Sequence, residues 1–206
     1  MQLNQESSLL ELAAVMARLR AECAWKAGQT HESLVRYLLE ETYEVVEAVE
    51  SGSSAHLREE LGDLLLQVFF HAAIAAERGE YDIEDVAADL IAKLVRRNPH
   101  VFDPANAGSE DPVAINEQWE QIKAGEKQRA QLMDGVPEEL PALLRAVKAL
   151  ERMERTGVRA EVLTGSEDLG ERLLALAAEA HATGRDPEQE LRAAVRRLTQ
   201  GPGPLG

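Results

Sequence analysis

Between Glu40 and Asp63 the chain concentrates carboxylates: Glu40, Glu41, Glu44, Glu47, Glu50, Glu59, Glu60 and Asp63 fall within 24 residues that hold one basic side chain, Arg58. Glu41 with Glu44, and Glu60 with Asp63, are spaced three apart, so on helices each pair projects from one side. Two carboxylates about 4 Å apart repel by roughly 4 kcal/mol at an effective dielectric near 20, and four converging ones strain a fold. A divalent cation reverses the sign. Mg²⁺ takes oxygen ligands, keeps several waters and commonly combines a few carboxylates with substrate phosphates, so such a site implies a phosphorylated substrate. Spacing alone fits a solvated acidic helix face equally well, because Leu, Val and Phe interleave with the acids. Complementary groups downstream tip the balance. Lys93 and Arg97 are four apart and suit phosphate oxygens, while Trp119 and Lys123, also four apart, can stack a flat ring and pair an anionic group.

These residues need helices to position them, and the sequence supplies little else. Apolar residues recur three and four apart, and no alternating β-branched run is bounded by hairpin turns, so the chain reads as all-α. A first helix is expected over Ser8 to Glu22, with Leu9, Leu12, Val15, Met16 and Leu19 on one stripe. A linker, Cys23 to Thr30, leads to a second helix of about His31 to Glu50. Ser51-Gly52-Ser53-Ser54 stops it, with Ser54 read as the cap of a third helix extending to Arg78. The second and third helices carry the acids and should pack as an antiparallel hairpin. Asp82 should cap a fourth helix ending at Asn98-Pro99. Asn98 to Pro112 holds three prolines and reads as a long loop. Further helices are expected from Pro112, from Pro141 to near Gly157, over Glu167 to Thr183, and from Asp186-Pro187 to a flexible tail at Gly201-Pro202-Gly203-Pro204.

The C-terminal third repeats part of this pattern. Glu60-Leu61-Gly62-Asp63 aligns with Asp168-Leu169-Gly170-Glu171, while Asp82 aligns with Asp186 and Lys93 with Arg197 after a short deletion. The expected organisation is residues 1–130 as the main repeat, 131–200 as a linker with a shortened, degenerate second repeat, and 201–206 as a tail.

Composition bounds the partners. With 37 acidic and 22 basic residues among 206, the net charge is −15, which disfavours nucleic acids and anionic membranes. Nearly half of that excess lies in the Glu40 to Asp63 hairpin, where it can recruit cations and so admit a small polyanion. Aromatic residues make up 4% of the chain, so the core must be built from Leu, Ala and Val. The single cysteine, Cys23, allows no intramolecular disulfide and points to a reducing, cytoplasmic compartment. No secretory leader is read at the N-terminus, and the longest nearly apolar stretch, Leu64 to Ala76, is too short to span a bilayer.

Glu40-Glu41-Thr42-Tyr43-Glu44 followed by Glu60-Leu61-Gly62-Asp63 resembles the EExxE…ExxD signature of the MazG nucleoside triphosphate pyrophosphohydrolases, a branch of the all-α NTP pyrophosphatases. Trp25, Gln29-Thr30, Arg96-Arg97-Asn98-Pro99-His100-Val101-Phe102, Trp119-Glu120-Gln121-Ile122-Lys123 and Met133-Asp134-Gly135-Val136-Pro137 extend the likeness. The resemblance implies Mg²⁺, with Mn²⁺ as a possible substitute, bound by Glu41, Glu44, Glu60 and Asp63. It implies that Glu40 orients or deprotonates the attacking water, that Lys93 and Arg97 grip phosphates, and that Trp119, Lys123 and Trp25 contact the nucleotide. The implied reaction splits a nucleoside or deoxynucleoside triphosphate between the α and β phosphates, in a nucleotide-pool cleaning role, and the implied assembly is a homodimer.

Two departures stand out. The second repeat places Lys148, Ala149 and Arg152 opposite Glu40, Glu41 and Glu44, so it is expected to bind no catalytic metal and to serve packing or dimerisation. The family's CPWDKEQT-like stretch reads Cys23-Ala24-Trp25-Lys26-Ala27-Gly28-Gln29-Thr30, which loses its Pro and its acids. Two other readings remain at this level: a catalytically decayed helical sensing or interaction module, and a base-specific pyrophosphatase.

Overall fold

A computed structural model of the chain describes residues 7–103, 111–126, 131–158 and 165–199. The expected tail at 201–206 lies outside them, as do residues 104–110 of the expected loop from Asn98 to Pro112. Among the described residues there are ten helices and no strand, in agreement with the all-α reading. The chain divides into two compact units, Met1–Trp119 and Glu120–Gly206, and the division falls within a helix, Pro112–Glu126.

The first unit is built on a hairpin of α3 (His31–Ser51) and α4 (Ser54–Glu77), its most extensive helix pair. Thr30 caps α3 by accepting a hydrogen bond from the Ser33 backbone N–H, and Ser33 reciprocates on the Thr30 N–H. Gly52 ends α3 in a left-handed conformation (φ 72°) that any residue with a Cβ adopts at a cost. The cap of α4 is Ser53 rather than Ser54, since the Ser53 hydroxyl accepts from the His56 N–H at 3.3 Å. The one-residue shift leaves a turn of only Gly52 and Ser53, which makes the two helices antiparallel neighbours.

Helix α1 (Ser8–Glu22) packs on α4. Met16, Leu34, Phe69, Phe70 and Ile74 form the buried core, with Leu12, Tyr37, Leu66 and Ile83 against it. Burying each such side chain contributes roughly 1.5–3 kcal/mol. Arg20 reinforces the join. It is 8% exposed, its Nε and Nη2 donate to Glu77 of α4 at 2.7 and 2.5 Å, and its Nη1 donates to the carbonyls of Lys26 and Gln29. The expected Cys23 to Thr30 linker is therefore held in place, and it contains one turn of helix, α2 (Ala24–Ala27).

Asp82 caps α5 (Ile83–Arg97) through a capping box with Asp85. The segment expected as a loop from Asn98 begins with another helical turn, α6 (Pro99–Phe102), whose leading Pro suits a helix start. Helix α7 (Pro112–Glu126) follows.

In the second unit α8 (Ala142–Arg155) pairs with α9 (Leu169–Ala182), and α10 (Pro187–Thr199) touches both. Leu150 and Ala177 are buried in this unit. Helix α9 starts two residues later than the expected Glu167 because Asp168 is its cap, accepting from the Glu171 N–H at 2.9 Å.

Candidate metal centre

The α3–α4 hairpin brings three of the four expected ligands together. One carboxylate oxygen each from Glu41, Glu60 and Asp63 lies within 4.8 Å of the others. Glu60 is buried, 9% exposed, and its Oε1 lies 3.0 Å from His56 Nε2 one turn earlier on α4. Glu41 and Asp63 are half-buried. Burial, a hydrogen bond with Glu44 and the charges of Asp63, Glu44 and Glu60 together push the Glu41 carboxyl above the ordinary carboxylate range. Glu44 thus sits beside Glu41 but is exposed, and it falls outside the converging trio. Glu40 is exposed on the same helix.

The donor set suits a hard divalent cation. All three groups are anionic oxygen donors of the kind that Mg²⁺ and Mn²⁺ take, and no thiolate or imidazole stands among them. Burial first, then the hydrogen bond with Glu44 and the neighbouring acids, account for the raised Glu41 carboxyl. Among the described residues no other group of three His, Cys, Asp or Glu side chains converges in this way.

Lys93 is exposed on α5, and Arg97, one turn on, is half-buried with its guanidinium 5.0 Å from the centre of the Trp119 ring. Trp119 also lines an open cleft of about 460 Å³ with Asn98, Pro112, Ile115 and Asn116, a volume within the range of small-molecule pockets. Lys123, in the second unit, donates to Glu120 at 3.0 Å. Trp25 is half exposed, edge-on to Tyr37 at 6.1 Å, with the Lys26 ammonium 5.3 Å from its ring.

Sequence reasoning passed over three features of the hairpin. The His56–Glu60 pair was visible as an i, i+4 spacing. His31 and His71 stack, with rings 5.0 Å apart and Nδ1 atoms at 2.7 Å, and they sit too far apart in sequence for spacing to reveal them. Burial, then the neighbouring His31, holds the His71 imidazole below its ordinary range. Gln67, on α4 between the acids and this pair, is 5% exposed.

Known proteins place this hairpin. The model of the MazG nucleotide pyrophosphohydrolase domain matches residues 29–102, which span α3 to α6 and all of the clustered acids. A protein of Streptomyces cacaoi described as an uncharacterized 26.1 kDa protein is 44% identical over 91% of this chain and 78% of its own length. The nucleoside triphosphate pyrophosphohydrolase of Mycolicibacterium smegmatis is 44% identical over 91% of this chain and 56% of its own. The chain belongs to the MazG family. The protein of the same name in Mycobacterium tuberculosis is 47% identical over 75% of this chain and 47% of its own length. The chain thus spans about half the length of these two pyrophosphohydrolases. A solved MazG-related protein from Thermotoga maritima aligns at 27% identity over 55% of this chain and 97% of its own, with a TM-score of 0.48. The matched MazG domain stops short of α7, so Trp119 and Lys123 lie beyond it.

Proposed function

We propose that this MazG chain is a Mg²⁺-dependent nucleoside triphosphate pyrophosphohydrolase, releasing nucleoside monophosphate and pyrophosphate from ribo- and deoxyribonucleotides in a nucleotide-pool cleaning role. The observation that carries the reading is the convergence of Glu41, Glu60 and Asp63 within 4.8 Å on facing helices. Glu44 joins them as a fourth ligand from beside Glu41. When bound, Mg²⁺ supplies neutralisation of the phosphate charge and acidification of water, with Mn²⁺ able to substitute.

The chain's own groups do the rest. Glu40, exposed and adjacent to Glu41, accepts the proton of the attacking water. Lys93 and Arg97 offer positive charge to phosphate oxygens. Trp119, already stacked by a cation, and Trp25 offer flat rings to the nucleotide, and Lys123 an ammonium. The second repeat binds no catalytic metal. The lone Cys23 suits a cytoplasmic setting. Leu61, Leu65 and Val68 form an apolar stripe on α4 that is 49, 39 and 36% exposed at Leu61, Val68 and Leu65 respectively, and this supports assembly as a homodimer. Sedimentation that finds only a 22.6 kDa species would reject that assembly.

The test of the reaction is product analysis with each NTP and dNTP in the presence of Mg²⁺. Monophosphate with pyrophosphate is expected. Diphosphate with phosphate, or no turnover, overturns the reading.

A further inference from the structure

The Gln67 side chain is 5% exposed, and its carboxamide oxygen is enclosed without a hydrogen-bond partner. An unpaired buried acceptor forfeits its hydration without replacement, and native structures rarely keep one without a reason. Gln67 follows Asp63 by one helical turn and Glu60 by two on α4. Helical side chains lean towards the N-terminus and lie over the turn three and four residues earlier. For Gln67 that turn holds Asp63 and Leu64. That lean runs from Gln67 towards the turn that carries Asp63.

We propose that Gln67 supplies a neutral oxygen donor to the divalent-cation site of Glu41, Glu60 and Asp63. The inference rests on the cation reading of those carboxylates. A carboxamide oxygen is a hard donor of the type found around Mg²⁺ and Ca²⁺. It also solves an electrostatic problem. A further carboxylate within 4.8 Å of the trio would add like-charge repulsion with each of its members. A neutral amide adds a ligand and none of that repulsion. The buried oxygen lacks a partner because the group it serves is the cation.

Two substitutions separate this role from packing. Gln67→Met keeps the shape and removes the oxygen, whereas Gln67→Glu keeps the oxygen and adds charge. Mg²⁺ affinity is measured by calorimetry, and Mn²⁺ coordination by electron paramagnetic resonance, on folded full-length protein without substrate. The expected result is a dissociation constant raised about tenfold or more in Gln67→Met with an altered Mn²⁺ spectrum, and affinity kept or tightened in Gln67→Glu. A packing role predicts the reverse order, with Met close to the unsubstituted protein and Glu impaired by a buried charge. Gln67→Met binding within twofold of the unsubstituted protein overturns the proposal. If Asp63→Asn abolishes binding while Gln67→Met binds within twofold of the unsubstituted protein, Gln67 is excluded and the cation reading stands. If the unsubstituted chain binds no divalent cation, both fall.

Discussion

Asp63→Asn should stabilise the protein without metal and destabilise it relative to the unsubstituted chain with metal. Asp63 faces Glu41 and Glu60 within 4.8 Å, so each pair repels by at least about 3.5 kcal/mol at an effective dielectric near 20, or roughly 7 kcal/mol for the two. Three features reduce this. Glu41 holds its proton more tightly than a free carboxyl, His56 lies against Glu60 at 3.0 Å, and both Glu41 and Asp63 are partly open to solvent. A net gain of about 1–2 kcal/mol remains, which for a chain of this size raises Tm by roughly 2–8 °C. Mg²⁺ acts in the opposite direction. At a concentration 100 times its dissociation constant it stabilises the unsubstituted protein by about 2.7 kcal/mol, and the variant gains little of this. The assay is a thermal melt of both proteins in EDTA and across a Mg²⁺ titration. The expected signature is a crossing, with the variant higher in EDTA and lower in saturating Mg²⁺. A variant that melts lower in EDTA as well, or that keeps the full Mg²⁺ response, would refute the reasoning, because Asp63 would then be a structural acid.

Glu44→Gln should lower turnover at least tenfold with little change in Tm, since Glu44 is exposed; turnover near that of the unsubstituted protein would exclude it and the first repeat as the active ligand set. Arg20→Met should destabilise by roughly 2–3 kcal/mol, less than a fully buried pair because the Glu77 side chain is 48% exposed; denaturant unfolding checks this, and a change below about 0.5 kcal/mol argues against the pair as a staple. His71 should make stability pH-dependent: its folded-state affinity for protons is depressed by burial and by His31, so its contribution is present above its unfolded pKa near 6.5 and is lost as pH falls through the lower folded value. The His71→Phe variant should therefore lose less stability between pH 7 and 5 than the unsubstituted protein, and parallel curves would contradict the assignment. Trp119→Ala should raise KM for nucleotides severalfold with kcat little changed, as expected for uniform binding; an unchanged KM removes Trp119 from the nucleotide site.

The fold and the acid cluster were legible because their determinants are local. Periodicity, caps and the Ser/Gly turn fix α3 and α4 as antiparallel neighbours, on which Glu41 meets Glu60 and Asp63 while the exposed Glu44 stays outside. Errors were small where two adjacent residues could serve equally, as with Ser53 and Ser54 at the start of α4. The short helices α2 and α6 escaped because one turn carries no periodic signal, and α2 depends on Arg20 gripping the carbonyls that follow it. Arg20 with Glu77, and His31 with His71, join residues far apart in sequence and have no local signature. Gln67 was hidden differently. In sequence it is one polar residue in an apolar run, and only its enclosure distinguishes it from a surface glutamine.

We propose that the second unit is a shortened repeat of the α3–α4 hairpin that kept its apolar frame and lost its acids. The position corresponding to Glu60 is Asp168, and its Oδ1 now accepts the Glu171 N–H as the cap of α9. In the first repeat Glu60 lies in the second turn of α4, so it is free of that task. Shortening the helix therefore changes the role of the acid as surely as substitution would. Arg152, opposite Glu44, donates to the carbonyls of Leu132 and Asp134 at 2.6 and 2.9 Å, and Lys148, opposite Glu40, pairs with Glu151 at 2.9 Å. Cations now bind the unit's own backbone and side chains where the first repeat presents acids. The apolar pattern is retained: Leu169, Leu173 and Leu176 match Leu61, Leu65 and Val68, and all six are 36% exposed or more. Converging acids carry a repulsion that a bound cation offsets, whereas an apolar stripe gains from any surface that covers it. Retention of the stripe without the acids fits a second repeat kept for contact, with the reaction left to the first.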